Sequence, residues 1–348
     1  MRISTNLFHM QSFASIEKHQ NSVLAIQEKL ASGQKVNRPS DDPAASSQIN
    51  ALNQSMKNLD QFEKNGQYAK TMLSYEETQL DTAVDVTQRV RELTIQMMNE
   101  TYTAEQRQAA GMEIGQLIDQ VANVMNSSNS EDELLFAGNN VDAQAAFVED
   151  TVNPASPSGL RYFAYIGSPN SDDGTADSPY DPQANFGARF VQIAFDNDNV
   201  VKPDDKGDPA RVRVTDNGSR VFNVDQTVPG GGSLPPGVDP NLLNVMVQLK
   251  DNLDRGLQPP AEIGTDLLTG LDAMSQSLAE IGGRQNRLQN QYDAGAEFRI
   301  ALDQRRSDLQ DQDVVAGISE FTMKQNALQM AQQVFSKVQG MTLFDYIN

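Results

Sequence analysis

From Ala45 onward, steps of three and four meet small or apolar residues at all but a few positions, for more than fifty residues without a proline. The series runs Ile49, Leu52, Met56, Leu59, Phe62, Gly66, Ala69, Leu73, Glu76, Leu80, Ala83, Thr87, Val90, Thr94 and Met97. Only a helical period places all of these on one stripe, and the length exceeds that of an ordinary globular helix. The pattern therefore predicts a rod or a long hairpin, whose stripe needs a cover of similar length. Toward the C-terminus, Leu267, Leu271, Met274, Leu278, Ile281, Leu288, Leu302 and Leu309 supply a matching stripe. Each buried Leu or Ile contributes roughly 1.5–3 kcal/mol. Two such arms satisfy each other when the termini come together and the middle of the chain projects away.

The extreme ends carry narrower stripes. Ile16, Val23 and Leu30 recur every seven residues with Ile26 between them, and Val314, Ile318, Phe321, Leu328, Ala331, Phe335 and Val338 form a counterpart. Seams this narrow suit another helix, as in a coiled coil, and they sit where a lone chain frays. The first seam stops at Ser32-Gly33. The loop Gly33–Pro43 then gathers turn formers, with Pro43 suited to the first turn of the next helix. A further helix starts at Thr103, where Thr-Ala-Glu-Gln matches a capping box, and its stripe is Ala110, Ile114, Leu117, Val121 and Val124. Leu242, Val245, Leu249 and Leu253 mark another, closed by Gly256 and Pro259-Pro260.

Between the arms the character changes. Residues 131–238 hold most of the prolines and glycines, and 17 acidic residues against 7 basic ones. Short β-type runs occur at 160–166, 189–195, 211–215 and 220–224, the last two flanking a hairpin signal at Asp216-Asn217-Gly218-Ser219. Gly230-Gly231-Gly232 and Pro235-Pro236 mark a return linker. The expected fold is mainly α with an inserted small β-rich domain. Its frame is a long antiparallel helical hairpin or bundle built by the N- and C-terminal arms, termini together. The expected segments are an assembly arm at 1–40, helical frame at 41–130, the acidic insert at 131–238, frame again at 239–305, and a second assembly arm at 306–348.

Composition narrows the function. With 27 Lys plus Arg against 47 Asp plus Glu, the net charge is −20, which repels phosphate backbones and argues against a nucleic-acid partner. No stretch approaches the ~20 apolar residues of a membrane span, so no membrane insertion is expected. The first ten residues hold no apolar run long enough for a signal-peptide core, so export, if it occurs, takes another route. There is no cysteine, which excludes disulfides, thiolate metal sites and a cysteine nucleophile.

Catalytic constellations are wanting. His9 and His19 are ten residues apart with no clustered ligands and read as solvated helix positions. The acidic runs Asp196–Asn199 and Asp204–Asp208 lack calcium-loop spacing, because Gly207 and Pro209 stand where a closing glutamate belongs. No cofactor, no metal site and no enzymatic activity are expected. A metal- or sugar-processing site in the acidic insert is the remote alternative.

Several motifs carry a family resemblance. Leu30-Ala31-Ser32-Gly33-Gln34-Lys35-Val36-Asn37, followed by Asp41-Asp42-Pro43-Ala44, resembles the flagellin-family segment between the terminal helix and the long helix. Gln88–Gln96, Ile281–Leu288 and Leu309–Asp313 resemble further signatures of that family, in the right order. Asn37, Asp41, Asp42 and Pro43 form its motif loop. Proline after Asp41-Asp42, the segment Leu135–Asn140 and the ending Phe344–Asn348 resemble the hook-associated adaptor branch more than filament subunits. The resemblance implies a structural adaptor at the hook–filament junction, or alternatively a flagellin filament subunit. It also implies export by the flagellar type III apparatus to an extracellular location after a cytoplasmic stage. The implied partners are other copies of the chain, the hook-side junction protein (hook-associated protein 1), flagellin, and an export chaperone on the C-terminal helix.

Overall fold

A computed structural model describes residues 2–140, 143–153, 155–167, 189–195, 210–224 and 232–344. Along the chain run α1 (Arg2–Ser32), α2 (Pro43–Met97), α3 (Ala104–Met125), β1 (Phe147–Glu149), β2 (Phe163–Tyr165), β3 (Phe190–Gln192) and β4 (Arg211–Arg213). They are followed by α4 (Gly218–Val221), α5 (Leu242–Asp254), α6 (Ala261–Gln310) and α7 (Val314–Phe344). The expectation of a helical frame with a small β insert is met. The chain divides into two compact units, one made of 1–59 and 296–348 and the other of 60–295.

The larger unit holds the main core. The α2 stripe is buried at every predicted position from Ala69 to Met97, including the polar members Glu76, Thr87 and Thr94. The two threonines satisfy their hydroxyls on the carbonyls of Ala83 (2.7 Å) and Val90 (2.8 Å), one turn back along the helix. Helix α3 opens with the expected capping box: Gln106 N donates to Thr103 Oγ1, and Thr103 N donates to the Gln106 side chain. Its partner is α5, and the close approach relies on Gly111, where a Cβ would stand 2.6 Å from Asp254 Oδ1 and 3.3 Å from Leu253 Cβ.

Among its described residues the insert contributes two two-stranded antiparallel sheets. β1 pairs with β2 (Phe147↔Tyr165, Glu149↔Phe163), and β3 pairs with β4 (Phe190↔Arg213, Gln192↔Arg211). Phe222 meets Phe136 and Phe147 edge-to-face, with ring centroids 5.0 and 6.0 Å away. The hairpin expected at 216–219 does not form. Asn217 instead caps α4, its side chain accepting from Ser219 N at 3.0 Å, and 220–224 is not a strand. The physical reason is long-range: β4 finds its partner in β3, and Asp216 is drawn inward by arginines 213, 220 and 284. The acidic runs at 196–199 and 204–208, Gly230, Gly231 and the tail Asp345–Asn348 lie outside the described residues.

Candidate assembly interface

In the smaller unit, α1 and α7 pack side by side. Near one end Leu30 lies against Gly317, where a Cβ would come within 2.7 Å of Leu30 Cδ2. Near the other, the His9 ring meets Phe335 edge-on at 6.0 Å and 82°. Positions thus rise along one helix as they fall along the other, so the pair is antiparallel.

The pair is joined to the rest of the unit by a backbone stitch. Lys35 N donates to Gln310 O (2.8 Å), Gln312 N donates to Gly33 O (2.8 Å), and Lys35 Nζ donates to Asp308 O (2.5 Å). Gly33 turns the chain with φ at +70°, a conformation that glycine adopts without a Cβ clash. The family-motif residues build this turn. Asp41 Oδ2 accepts from Asn37 N (3.0 Å) and Arg38 N (2.9 Å), and these backbone bonds hold its carboxyl below the usual range. Asn37 Nδ2 reaches Ser32 Oγ at 2.9 Å. Asp42 Oδ1 accepts from the N–H groups of Ala44 and Ala45, both at 3.0 Å, covering the open donors at the start of α2, with Pro43 as its first residue. Asp313 does the same for α7, accepting from Val315 N (2.9 Å) and Ala316 N (3.0 Å). Val36, Ala45 and Ile49 close a small core with Leu309.

Within the pair, Ile26 is the one buried apolar side chain of α1 among those described. Ile16, Val23 and Leu30 are half-buried, as are Phe321, Leu328, Ala331 and Phe335 on α7. Two residues assigned to the C-terminal seam stand elsewhere: Val314 is 57% exposed and Ile318 53%. On a 100° helical wheel Gly317 takes the facing position and turns Ile318 outward. The side chain of Val338, on α7, lies outside those described.

Sequence reading also passed over a second apolar stripe on each helix. Leu7, Met10, Phe13 and Leu24 on α1 are each at least 55% exposed, as are Val315, Met323, Met330 and Val334 on α7. Spacings of seven from Met323 to Met330 and fourteen from Met10 to Leu24 are the signal that could have found them. His9, read as solvated, is half-buried on Phe335. Among the described residues no cluster of three His, Cys, Asp or Glu could hold a metal ion, and no helix is long and apolar enough to cross a membrane.

Both helices of this pair fall within family matches. The bacterial flagellin N-terminal helical region matches residues 3–141, and the bacterial flagellin C-terminal helical region matches 266–347. Together they span well over half of the chain. The chain belongs to the flagellin family. Flagellar hook-associated protein 3 of Escherichia coli (strain K12) is 24% identical over 99% of both chains. A flagellin of Listeria monocytogenes is 27% identical over 37% of this chain and 45% of its own. Among solved structures, a flagellar junction protein from Legionella pneumophila shares the fold, with a TM-score of 0.51 at 16% identity over 75% of this chain and 99% of its own. As a flagellin-family member the chain is a structural component of the bacterial flagellum, and its paired terminal helices are its candidate assembly surface.

Proposed function

We propose that this chain is the structural adaptor at the hook–filament junction, assembling through α1 and α7 and catalysing no reaction. The observation that carries the reading is the α1–α7 pair, which buries one narrow seam internally and leaves an apolar stripe open on each helix. Exposed apolar surface of that kind favours assembly with neighbours over life as a monomer. Its neighbours there would be other copies of the chain, hook-associated protein 1 on the hook side, and the first flagellin subunits on the other. The chain would leave the cell through the flagellar type III apparatus, escorted by a cytoplasmic chaperone that takes the α7 helix before it pairs with α1.

The runner-up is a filament subunit. End-to-end alignment with a hook-associated protein, against flagellin matches that cover a third to a half of the chain, favours the adaptor. The test is deletion of the gene, followed by electron microscopy and assay of the medium. A hook without a filament, with flagellin released to the medium, supports the adaptor. A filament of normal length in the deletion strain overturns it, and a long homopolymer formed by the purified chain alone transfers the assignment to flagellin.

A further inference from the structure

The main core of the larger unit contains a carboxyl group that the assembly reading leaves unused. Glu76, on α2, is fully buried, and neither of its oxygens receives a hydrogen bond from any donor. The charges around it come from three elements. Arg213 ends β4, and Asp216 follows it just before α4. Arg220 belongs to α4, and Glu280 and Arg284 to α6. Asp216, also fully buried, takes both terminal nitrogens of Arg284 (2.9 and 3.1 Å), one of Arg213 (2.9 Å) and one of Arg220 (3.4 Å). Glu280 takes Arg213, Arg220 and Arg284 at 3.0, 2.8 and 3.4 Å. Glu77, next along α2, accepts instead from Gln285 of α6 at 2.8 Å, and Arg287 donates to Arg211 O at 2.9 Å.

Asp216 and Glu280 share the terminal nitrogens of these arginines, and the hydrogen bond of the Glu76 carboxyl is to Asp216. An ionised carboxylate can only accept, so an ionised Glu76 would repel Asp216 and go unsatisfied itself. A neutral carboxylic acid has one O–H to give. We propose that Glu76 is held as the neutral acid and donates its proton to Asp216, forming a proton-locked latch that fixes the β4–α4 segment between α2 and α6. Losing that proton puts a second negative charge against Asp216 in a fully buried site, and the latch opens.

The electrostatics agree in direction. Burial first, then the charge of Asp216 and the hydrogen bond to it, push the Glu76 carboxyl well above the usual range, against a smaller pull from Arg213 and Arg220. Burial also raises Glu280, but Arg220 and Arg213 outweigh it and leave that group lowered and ionised. In the unfolded chain a glutamate ionises near pH ~4.3. Above that value the folded state holds one more proton than the unfolded state, so the latch's contribution falls as pH rises, until the folded group itself ionises. One proton difference changes an unfolding equilibrium by about tenfold per pH unit.

The experiment compares the full chain with Glu76→Gln, whose amide can donate to Asp216 without titrating. Hydrogen exchange of β4 and α4 is followed from pH 6 to 9, corrected for intrinsic rates. The natural chain should lose protection relative to Glu76→Gln as pH rises, by up to about tenfold per pH unit, and parallel profiles would overturn the latch. Infrared spectra at neutral pH give a second, independent readout on the natural chain. They should show a protonated carboxylic acid band that disappears in Glu76→Gln and shifts in frequency in Asp216→Asn, where the acceptor of its hydrogen bond has lost its charge. Absence of that band from the natural chain overturns the proposal even if both variants fold poorly.

Discussion

Replacing Ile26 by alanine tests how the terminal pair is held. Ile26 is 4% exposed, while the other seam residues of α1 are only half-buried, so one side chain supplies most of the fully enclosed apolar contact. Truncating a buried isoleucine to alanine costs about 2–5 kcal/mol, from lost transfer energy plus the cavity left behind. At 1.4 kcal/mol per decade, that is roughly 30-fold to several-thousand-fold in the local opening equilibrium. A two-helix pair with so little enclosed surface has only a few kcal/mol of local stability to lose. Ile26→Ala should therefore bring the amides of α1 and α7 close to unprotected exchange. The α3 and α5 amides belong to the other compact unit, with its own core, and should keep their protection. Hydrogen exchange read by mass spectrometry, peptide by peptide, decides it. Unchanged exchange in α1 and α7 would refute the seam as the stabilising contact, and equal acceleration in α3 and α5 would refute the independence of the two units.

Met330→Asp should leave the α1–α7 pair as protected as before, because Met330 is 65% exposed in the isolated chain, yet abolish filament attachment as scored by microscopy. Filaments of normal number on the variant hooks would remove the outward stripe from the assembly surface. Acid should loosen the contact between Glu133 and Arg189, an ion pair at 2.5 Å. Hydrogen bonding from Arg189 outweighs burial and, with Tyr68 and Asn129, brings Glu133 down to about 2. Its contribution is thus complete above the unfolded value of ~4.3 and fades as pH falls toward 2. Glu133→Gln should flatten the acid limb of the urea-unfolding midpoint between those limits, and an unchanged limb would refute that role.

Much of the frame is legible in the sequence, because a helical period sustained from Ala45 to Met97 leaves no competing register. Thr103 is equally legible, since a capping box is a local arrangement of four residues. What fails are readings that depend on distant partners. Asp216-Asn217-Gly218-Ser219 has the local chemistry of a hairpin turn, but arginines as far along the chain as 284 hold Asp216 inside, and Asn217 turns to capping α4. The first turns of the C-terminal seam depart from the reading for a different reason. A stripe is found by looking for large apolar side chains, and at 317 the facing residue is a glycine, whose contribution is the space it leaves for Leu30. Ile318 catches the eye beside it and points away. The outward stripes are hidden because apolar residues on two sides of a helix blur the single-face pattern that periodicity detects.

Helices α1 and α7 are each 31 residues long, and they are stitched together at the end where one stops and the other starts. At about 1.5 Å per residue, both rods run some 46 Å from that shared origin. The pair behaves as two rulers clamped at zero. A single residue gained or lost within either helix would rotate everything beyond it by about 100° and shift every facing contact out of step. Variation in length is then excluded from both ends of the chain together, because neither helix can change without the other.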